Sequence, residues 1–470
     1  MNRQELKNTL EKDYSLVLFA DFAEVSHAPT AAYRLLESIR KDAFADNERI
    51  VFYGNWPNID LVNHVAQARE LLDISEFFCI WQNDVEDALT PGTGWQLADT
   101  VCPLLWSHLE VRHTGDVYPC CVNTTPVGNA NENTLTEIFN NDKMDLLRKQ
   151  LSTGGRPDSC DHCWRLEKQG LSSNRQWHVG KNQVNFYAKW YDNVKIRSLD
   201  LKPSNVCNFK CRTCNPSNSS MIAEEFKRFG GIPIVKDRWE EYSEYTWNEL
   251  NGLLPTIENL DFFGGEPFLI KELKRFLHNA VDSGDSQHIR LHFNTNGSIF
   301  PLDVIDALKQ FKEVDIAVSI DDIGKRFELT RGGTWDEVST NILKFKKLGF
   351  TSYIFCTVNV QNVYYLDELI SWANENNIEY VFNFLNFPKY LNIDSLTDQA
   401  KQMVVDKYQS STDTQLLALV ARIQNSAGSD GIDFVNRMKM LDRIRKQDFT
   451  STHKEIAQAM GYDLLSTQQL

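Results

Sequence analysis

Apolar runs of four to six residues alternate with amphipathic stretches along most of the chain. Runs at 15–20, 49–53 and 77–81 read as strands, and 30–43 and 59–72 as helices, the first carrying Tyr33, Leu35, Leu36 and Ile39 on one stripe. Strands alternating with helices predict a small parallel α/β unit over 1–98. The pattern then changes. Leu109-Glu110-Val111-Arg112 and Val117-Tyr118-Pro119-Cys120 flank Thr114-Gly115-Asp116, which is a hairpin signal. Thr134-Leu135-Thr136-Glu137 has capping-box form and should open one helix with Leu135, Ile138, Phe139, Leu146 and Leu147 on its apolar face. These features define a second unit, 99–180, joined to the next by a linker at 179–195. From 196 onward strand and helix repeat six times. Strands are expected at 196–201, 259–263, 289–294, 314–320, 352–359 and 378–385. Helices fall near 218–229, 270–282, 301–312, 335–348 and 364–376. Six βα units imply a parallel sheet over 195–390, and the pattern alone leaves barrel closure open. The tail, 391–470, is polar and mainly helical.

Composition narrows the function classes. The chain has 470 residues, 42% hydrophobic and 24% charged, which suits a globular protein of roughly three domains. Its net charge is −15, so it lacks the global positive field of a nucleic-acid binder. The densest basic stretch, 437–446, reads as the solvated face of a helix. No apolar run is long enough to span a membrane, and the N-terminus shows no apolar leader, so a cytoplasmic protein with reduced thiols is expected. Eight of the ten cysteines fall into two groups with metal-ligand spacings; Cys79 and Cys356 stand alone.

The first group is Cys207-Asn208-Phe209-Lys210-Cys211-Arg212-Thr213-Cys214, directly after a predicted strand. Three thiolates on one short loop can hold three corners of a [4Fe–4S] cube and leave one iron open. A zinc site would need a fourth ligand, and no Cys or His lies within twenty residues. One βα unit later comes Phe262-Phe263-Gly264-Gly265-Glu266-Pro267, two glycines at the C-terminal end of a strand, where parallel α/β folds bind ligands.

With these motifs in this order, the chain resembles the radical S-adenosylmethionine (SAM) enzymes over about 195–390. The resemblance implies a partial (β/α)6 parallel barrel. It also implies that Cys207, Cys211 and Cys214 hold a [4Fe–4S] cluster whose open iron chelates SAM. Gly264, Gly265 and Glu266 would receive the methionyl amino group. Asn296 in Thr295-Asn296-Gly297 ends the third strand and matches the family's layout. Ser319 and Asp321 would meet the ribose, and Arg331 the carboxylate. An electron from the cluster would cleave SAM to a 5′-deoxyadenosyl radical that abstracts a substrate hydrogen. One departure stands out: Thr213 replaces the aromatic that the family usually carries before the third cysteine.

The second group is Cys102, Cys120, Cys121, Cys160 and Cys163, spaced C-x17-C-x39-C-x2-C when Cys120 is counted. Four thiolates close either a tetrahedral zinc or a fully ligated [4Fe–4S] cluster. Neighbours on a strand point to opposite faces, so only one of Cys120 and Cys121 should coordinate. The block resembles the twitch domain, the single-cluster relative of the SPASM domain, placed ahead of the core as in the N-terminal twitch radical SAM proteins. By that resemblance the ligands are Cys102, Cys120, Cys160 and Cys163, on an auxiliary [4Fe–4S] cluster, with zinc as the alternative. The resulting expectation is an enzyme that oxidises or cross-links a peptide or sugar-like substrate, served by an electron donor such as a flavodoxin or ferredoxin, with no membrane or nucleic-acid partner. The rivals are a zinc-stabilised α/β binding protein and a non-catalytic iron–sulfur redox sensor. Cys356 is either a hydrogen-atom donor or buried packing.

Overall fold

The computed structural model describes residues 100–152, 154–168, 172–182, 194–229 and 242–462, with three strands nearer the N-terminus. Those strands are β1 (Leu16–Phe19), β2 (Arg49–Gly54) and β3 (Glu76–Trp81), paired in parallel in that order. The two helices expected between them, and most of the linker, lie outside the described residues.

The chain divides into two units: Met1–Leu109 with Val117–Arg197, and Glu110–Asp116 with Ser198–Leu470. The hairpin strands are β4 (His108–Val111) and β5 (Asp116–Tyr118), followed by the short β6 (Gly128–Asn129). Thr134 caps α1 (Leu135–Phe139): its side chain accepts from the Glu137 N–H at 3.1 Å and Glu137 answers to the Thr134 N–H at 2.9 Å. The single helix expected here is in fact two. Asn141 stops the first and caps the second, its Oδ1 accepting from the Met144 N–H and its Nδ2 donating to the Val127 carbonyl. The break turns α2 (Asp142–Ser152) so that Met144, Arg148 and Leu151 are buried and Leu146, assigned to the apolar face, is 56% exposed. Next come α3 (Asp161–Lys168) and α4 (Asn174–Asn182).

In the second unit, six strands run parallel in chain order: β7 (Ser198–Leu201), β8 (Asn259–Phe262), β9 (Arg290–Thr295), β10 (Glu313–Ser319), β11 (Thr351–Val358) and β12 (Glu379–Phe384). Sequential parallel strands joined by helices are the partial barrel of the expected fold class. Between successive strands the chain forms helices α5 (Ser220–Arg228), α6 (Glu244–Leu253), α7 (Lys271–Asp282), α8 (Ile305–Leu308), α9 (Gly324–Arg331), α10 (Trp335–Lys347) and α11 (Leu366–Glu375). Phe262 stacks on Phe293 at 5.2 Å, Phe276 of α7 meets Phe262 at 6.4 Å, and Phe268 lies between Phe293 and Phe345 of α10. The helix expected at 301–312 is one turn only, because the chain after Leu308 folds back and the Lys312 N–H bonds to the carbonyls of Ser286 and Ile289. On the edge strand β12, the Gln415 amide accepts from the Phe382 N–H and donates to the Tyr380 carbonyl, which blunts that edge. The tail forms α12 (Asp398–Tyr408), α13 (Thr414–Gln424), α14 (Ile432–Arg445) and α15 (Lys454–Ala459). The basic stretch in α14 is not simply a solvated face: Arg445 is buried against Glu225, and Arg437 lies over the Phe226 ring. Among the described residues, no helix is long and apolar enough to cross a membrane.

Candidate functional site

The strand β7 delivers the chain into the loop that carries Cys207, Cys211 and Cys214. The loop is gripped from several sides. Behind it, β8 runs into the glycine pair, and the N–H groups of Gly265 and Glu266 donate to the carbonyls of Ser204 (3.3 Å) and Val206 (2.7 Å). Gly264 takes φ 114°, and a Cβ on Gly265 would sit 1.9 Å from the Val206 oxygen. The glycine pair therefore serves backbone approach to the cysteine loop itself. Below, the Arg212 N–H donates to the Thr330 carbonyl at 2.7 Å at the end of α9. The Phe209 ring, 3% exposed, lies where a Cβ on Gly333 would come within 1.9 Å of its Cζ. From α5, Ser220 Oγ accepts from the Cys207 N–H and Ser219 Oγ donates to the Phe209 carbonyl. From the end of β9, Asn296 Nδ2 donates to Cys207 Sγ at 3.7 Å and to Asn208 Oδ1 at 2.9 Å.

Burial sets the electrostatics. It pushes the Cys207 thiol up, Cys211 to about 11 and Cys214 to about 12, with the charge of Arg331 acting in the opposite direction on all three. Burial alone would lower the Arg331 guanidinium, but the facing charges of Cys211 and Asp321 outweigh it and hold the group firmly protonated. Arg331 Nη1 donates to Asp321 Oδ2 at 2.9 Å, whereas its Nε is buried without a partner. Asp321 is 2% exposed and its other oxygen accepts from the Thr357 N–H at 2.8 Å, so both oxygens are engaged within the protein. Ser319 ends β10, part-exposed and in register with Phe355. Glu266 is fully buried. Desolvation raises its carboxyl to about 7 against three donors: the Thr295 hydroxyl and the N–H groups of Asn296 and Phe268. In this structure it ties the ends of β8 and β9 together. Cys356 is fully buried, 3.8 Å from the Asp321 carbonyl and 3.6 Å from Asn362 Nδ2. It packs with Ile354 and Val358 on one side of β11, opposite the part-exposed Tyr353, Phe355 and Thr357.

The sequence did not point to the tail's part in this loop. The Arg212 guanidinium, with no side-chain exposure, pairs with Asp442 and donates to Gln447 Oε1 at 2.9 Å, and Arg445 Nη1 donates to the Lys210 carbonyl at 2.7 Å. A charged residue inside a cysteine loop was the one available signal.

In the first unit, Cys102 leads into a short turn at Pro103–Trp106, Cys120 follows β5, and Cys160 and Cys163 sit at and just inside the start of α3. These four lie within electrostatic reach of one another. Burial first, then the charges of Cys160 and Cys163, raise Cys102 to about 12; burial and then Cys102 raise Cys120. Asn123 Nδ2 reaches Cys160 Sγ at 3.5 Å. Cys121 is exposed. The strand-face argument does not separate Cys120 from Cys121, because β5 ends at Tyr118. Arg148 staples the domain, donating to the carbonyls of Leu105 (2.9 Å) and Phe139 (2.6 Å). Among the described residues, no three His, Cys, Asp or Glu side chains stand close enough to share a single metal ion.

Comparison with known proteins agrees with both motifs. The family model of the radical SAM superfamily matches residues 201–373, and that of SPASM, an iron–sulfur cluster-binding domain, matches 102–164. Curated relatives include a GTP 3′,8-cyclase of Clostridium botulinum, 23% identical over 171 residues, which are 36% of this chain and 49% of the relative. The chain thus spans about half the length of the curated relatives it matches. Among solved structures, Streptococcus suis SuiB bound to SAM is 16% identical at TM-score 0.33, covering 63% of this chain and 64% of that one. Native anSMEcpe with bound SAM is 18% identical at TM-score 0.34, covering 45% and 60%. Residues 201–373 are thus a radical SAM superfamily domain and residues 102–164 a SPASM domain. A radical SAM domain binds a [4Fe–4S] cluster with SAM and a SPASM domain an auxiliary iron–sulfur cluster, which answers the zinc alternative.

Proposed function

We propose that Cys207, Cys211 and Cys214 hold the SAM-binding cluster, and that Cys102, Cys120, Cys160 and Cys163 hold the auxiliary one. The observation that carries the first assignment is the gripped three-thiol loop beside Arg331, a buried cation whose Nε has no partner. Three soft donors on one loop fit a four-iron cube with one open corner. The orphaned Nε fits an anionic group such as the SAM carboxylate. When bound, the cluster supplies the electron that cleaves SAM to methionine and a 5′-deoxyadenosyl radical able to take a substrate hydrogen. The protein's own residues do the positioning. Asp321 aligns Arg331, which makes it an orienting residue and removes the need for its direct contact with ribose. Glu266 fixes the β8 and β9 ends around Cys207, and its neighbours Gly264 and Gly265 let the end of β8 pack directly on the Ser204–Val206 backbone that leads into the loop. Ser319, part-exposed at its strand end, is the residue left to meet the ribose, and Asn296 steadies the Cys207 sulfur. The net reaction we propose is oxidation or cross-linking of a peptide or sugar-like substrate. A fully ligated auxiliary cluster suits that chemistry, since it can accept an electron after hydrogen abstraction. A flavodoxin- or ferredoxin-like protein would supply the first electron.

The test is release of 5′-deoxyadenosine from SAM by the anaerobically reconstituted, chemically reduced chain. Release by the wild type and none by Cys211→Ala is expected. A cluster that forms, responds to SAM and yet releases no deoxyadenosine would favour the redox-sensor alternative.

A further inference from the structure

The family model ends at residue 373, yet residues beyond it reach back to the cysteine loop. Arg212, between Cys211 and Cys214, is held by four groups from the tail: Asp442, Gln447 Oε1, the Met438 sulfur 3.6 Å from its Nη1, and the Phe449 ring 5.7 Å from its guanidinium carbon. Asp442 is itself fixed, accepting from the Phe449 N–H at 2.8 Å and from the Tyr462 hydroxyl. Phe449 stacks on the buried His453 at 4.4 Å. On the other side of Cys211, Arg445 Nη1 donates to the Lys210 carbonyl, while its Nε and Nη2 hold Glu225 of α5 at 2.7–3.3 Å. Two arginines thus fasten the loop on both sides of its middle cysteine, and each depends on α14.

We propose that α14 and the turn after it form a clamp that positions the cluster-binding loop, with Asp442 and Arg445 as positioning residues and Arg212 as the group they grip. This rests on the assignment of the SAM-binding cluster to Cys207, Cys211 and Cys214. The clamp fixes the loop on either side of Cys211 and sets the charge of Arg445 within electrostatic reach of that cysteine. Cluster potential and lability follow net charge, hydrogen bonding and solvent exposure. Loosening the clamp should therefore change the cluster before it unfolds the sheet.

The experiment uses the full chain, reconstituted anaerobically, reduced, and followed by electron paramagnetic resonance during exposure to EDTA. The signal that changes when SAM is added reports the Cys207 loop; the remaining signal reports the auxiliary cluster. Arg445→Gln should lose the SAM-responsive signal at least about tenfold faster than wild type, the order expected for a lost charge-assisted hydrogen bond. Gln447→Ala, a milder change that keeps both charges, should lose it about threefold faster. Arg443→Gln removes one charge from an exposed position of the same helix and should match wild type. The auxiliary signal should decay equally in all. Wild-type decay and wild-type spectra in both Arg445→Gln and Gln447→Ala overturn the clamp. If Arg445→Gln does not fold, Gln447→Ala decides alone. A wild-type chain with no SAM-responsive signal overturns the cysteine-loop assignment, and the clamp with it.

Discussion

Replacing Gly265 by alanine sets a methyl carbon 1.9 Å from the Val206 oxygen, 2.5 Å from its carbonyl carbon and 2.8 Å from the Asn205 carbonyl carbon. All three are backbone atoms, so no rotamer change relieves the clash. The end of β8 and the cysteine loop must part by at least about 1 Å to reach even a tight contact. That movement strains the two N–H···O bonds that Gly265 and Glu266 make to Ser204 and Val206. Two backbone bonds at roughly 0.5–1.5 kcal/mol each, added to roughly 1–3 kcal/mol for overpacking, give a loss of about 4 kcal/mol. The assay is denaturant unfolding of the apoprotein, together with iron content after reconstitution. Gly265→Ala should lower the midpoint of the second unit and cost the iron held by Cys207, Cys211 and Cys214. Gly252→Ala is the matched control. It lies in α6 with no atom within 4 Å of its added methyl, and should gain about 0.5–1 kcal/mol from helix propensity. Wild-type stability and iron loading in Gly265→Ala would refute the view that the glycine pair exists for backbone approach to the cysteine loop.

Three further outcomes are expected. Cys120→Ser should lose the auxiliary cluster, about four irons per chain, whereas Cys121→Ser should keep it; equal iron in the two variants would contradict the ligand set. Arg331→Lys keeps the charge but loses the fork geometry, and should weaken SAM binding about tenfold or more in calorimetry with the reconstituted chain; an unchanged Kd would remove Arg331 from the SAM site. His453, buried beside Asp322 and Arg326, is held well below its usual pKa, first by desolvation and then by Arg326 and Arg212. Its neutral form is favoured in the fold, so its contribution is present above about pH 6.5 and is lost as pH falls below that value. His453→Phe should flatten the acid side of the stability profile by up to about 1.4 kcal/mol per pH unit, and parallel profiles for variant and wild type would count against this.

The six strands of the parallel sheet were legible because each is a short apolar run bounded by turn residues, and the radical SAM match was legible because three cysteines at that spacing have few other uses. The break after α1 was not, since Asn140 and Asn141 sit inside a pattern that continues to alternate; only the bonds of Asn141 show that it restarts the helix. The glycines of Gly264-Gly265-Glu266 were recognisable as a place of close approach, but their partner was not, because the Ser204–Val206 backbone has no sequence signature. The clamp was hidden for a different reason. Arg212 and Asp442 are 230 residues apart, and an acid in a polar helix looks the same whether it faces water or a buried guanidinium. Asp321 shows the same limit: its position at a strand end was evident, but its engagement by Arg331 and Thr357 depends on packing.

The central claim is that two separate cysteine sets hold two clusters, one of them the site of SAM chemistry. Iron and sulfide per chain, measured after anaerobic reconstitution of the wild type and of a Cys207→Ala/Cys211→Ala/Cys214→Ala variant, test it most directly. The expected result is about eight irons falling to about four, with the remaining cluster indifferent to SAM. No fall in iron, or a remaining cluster that still binds SAM, would contradict it.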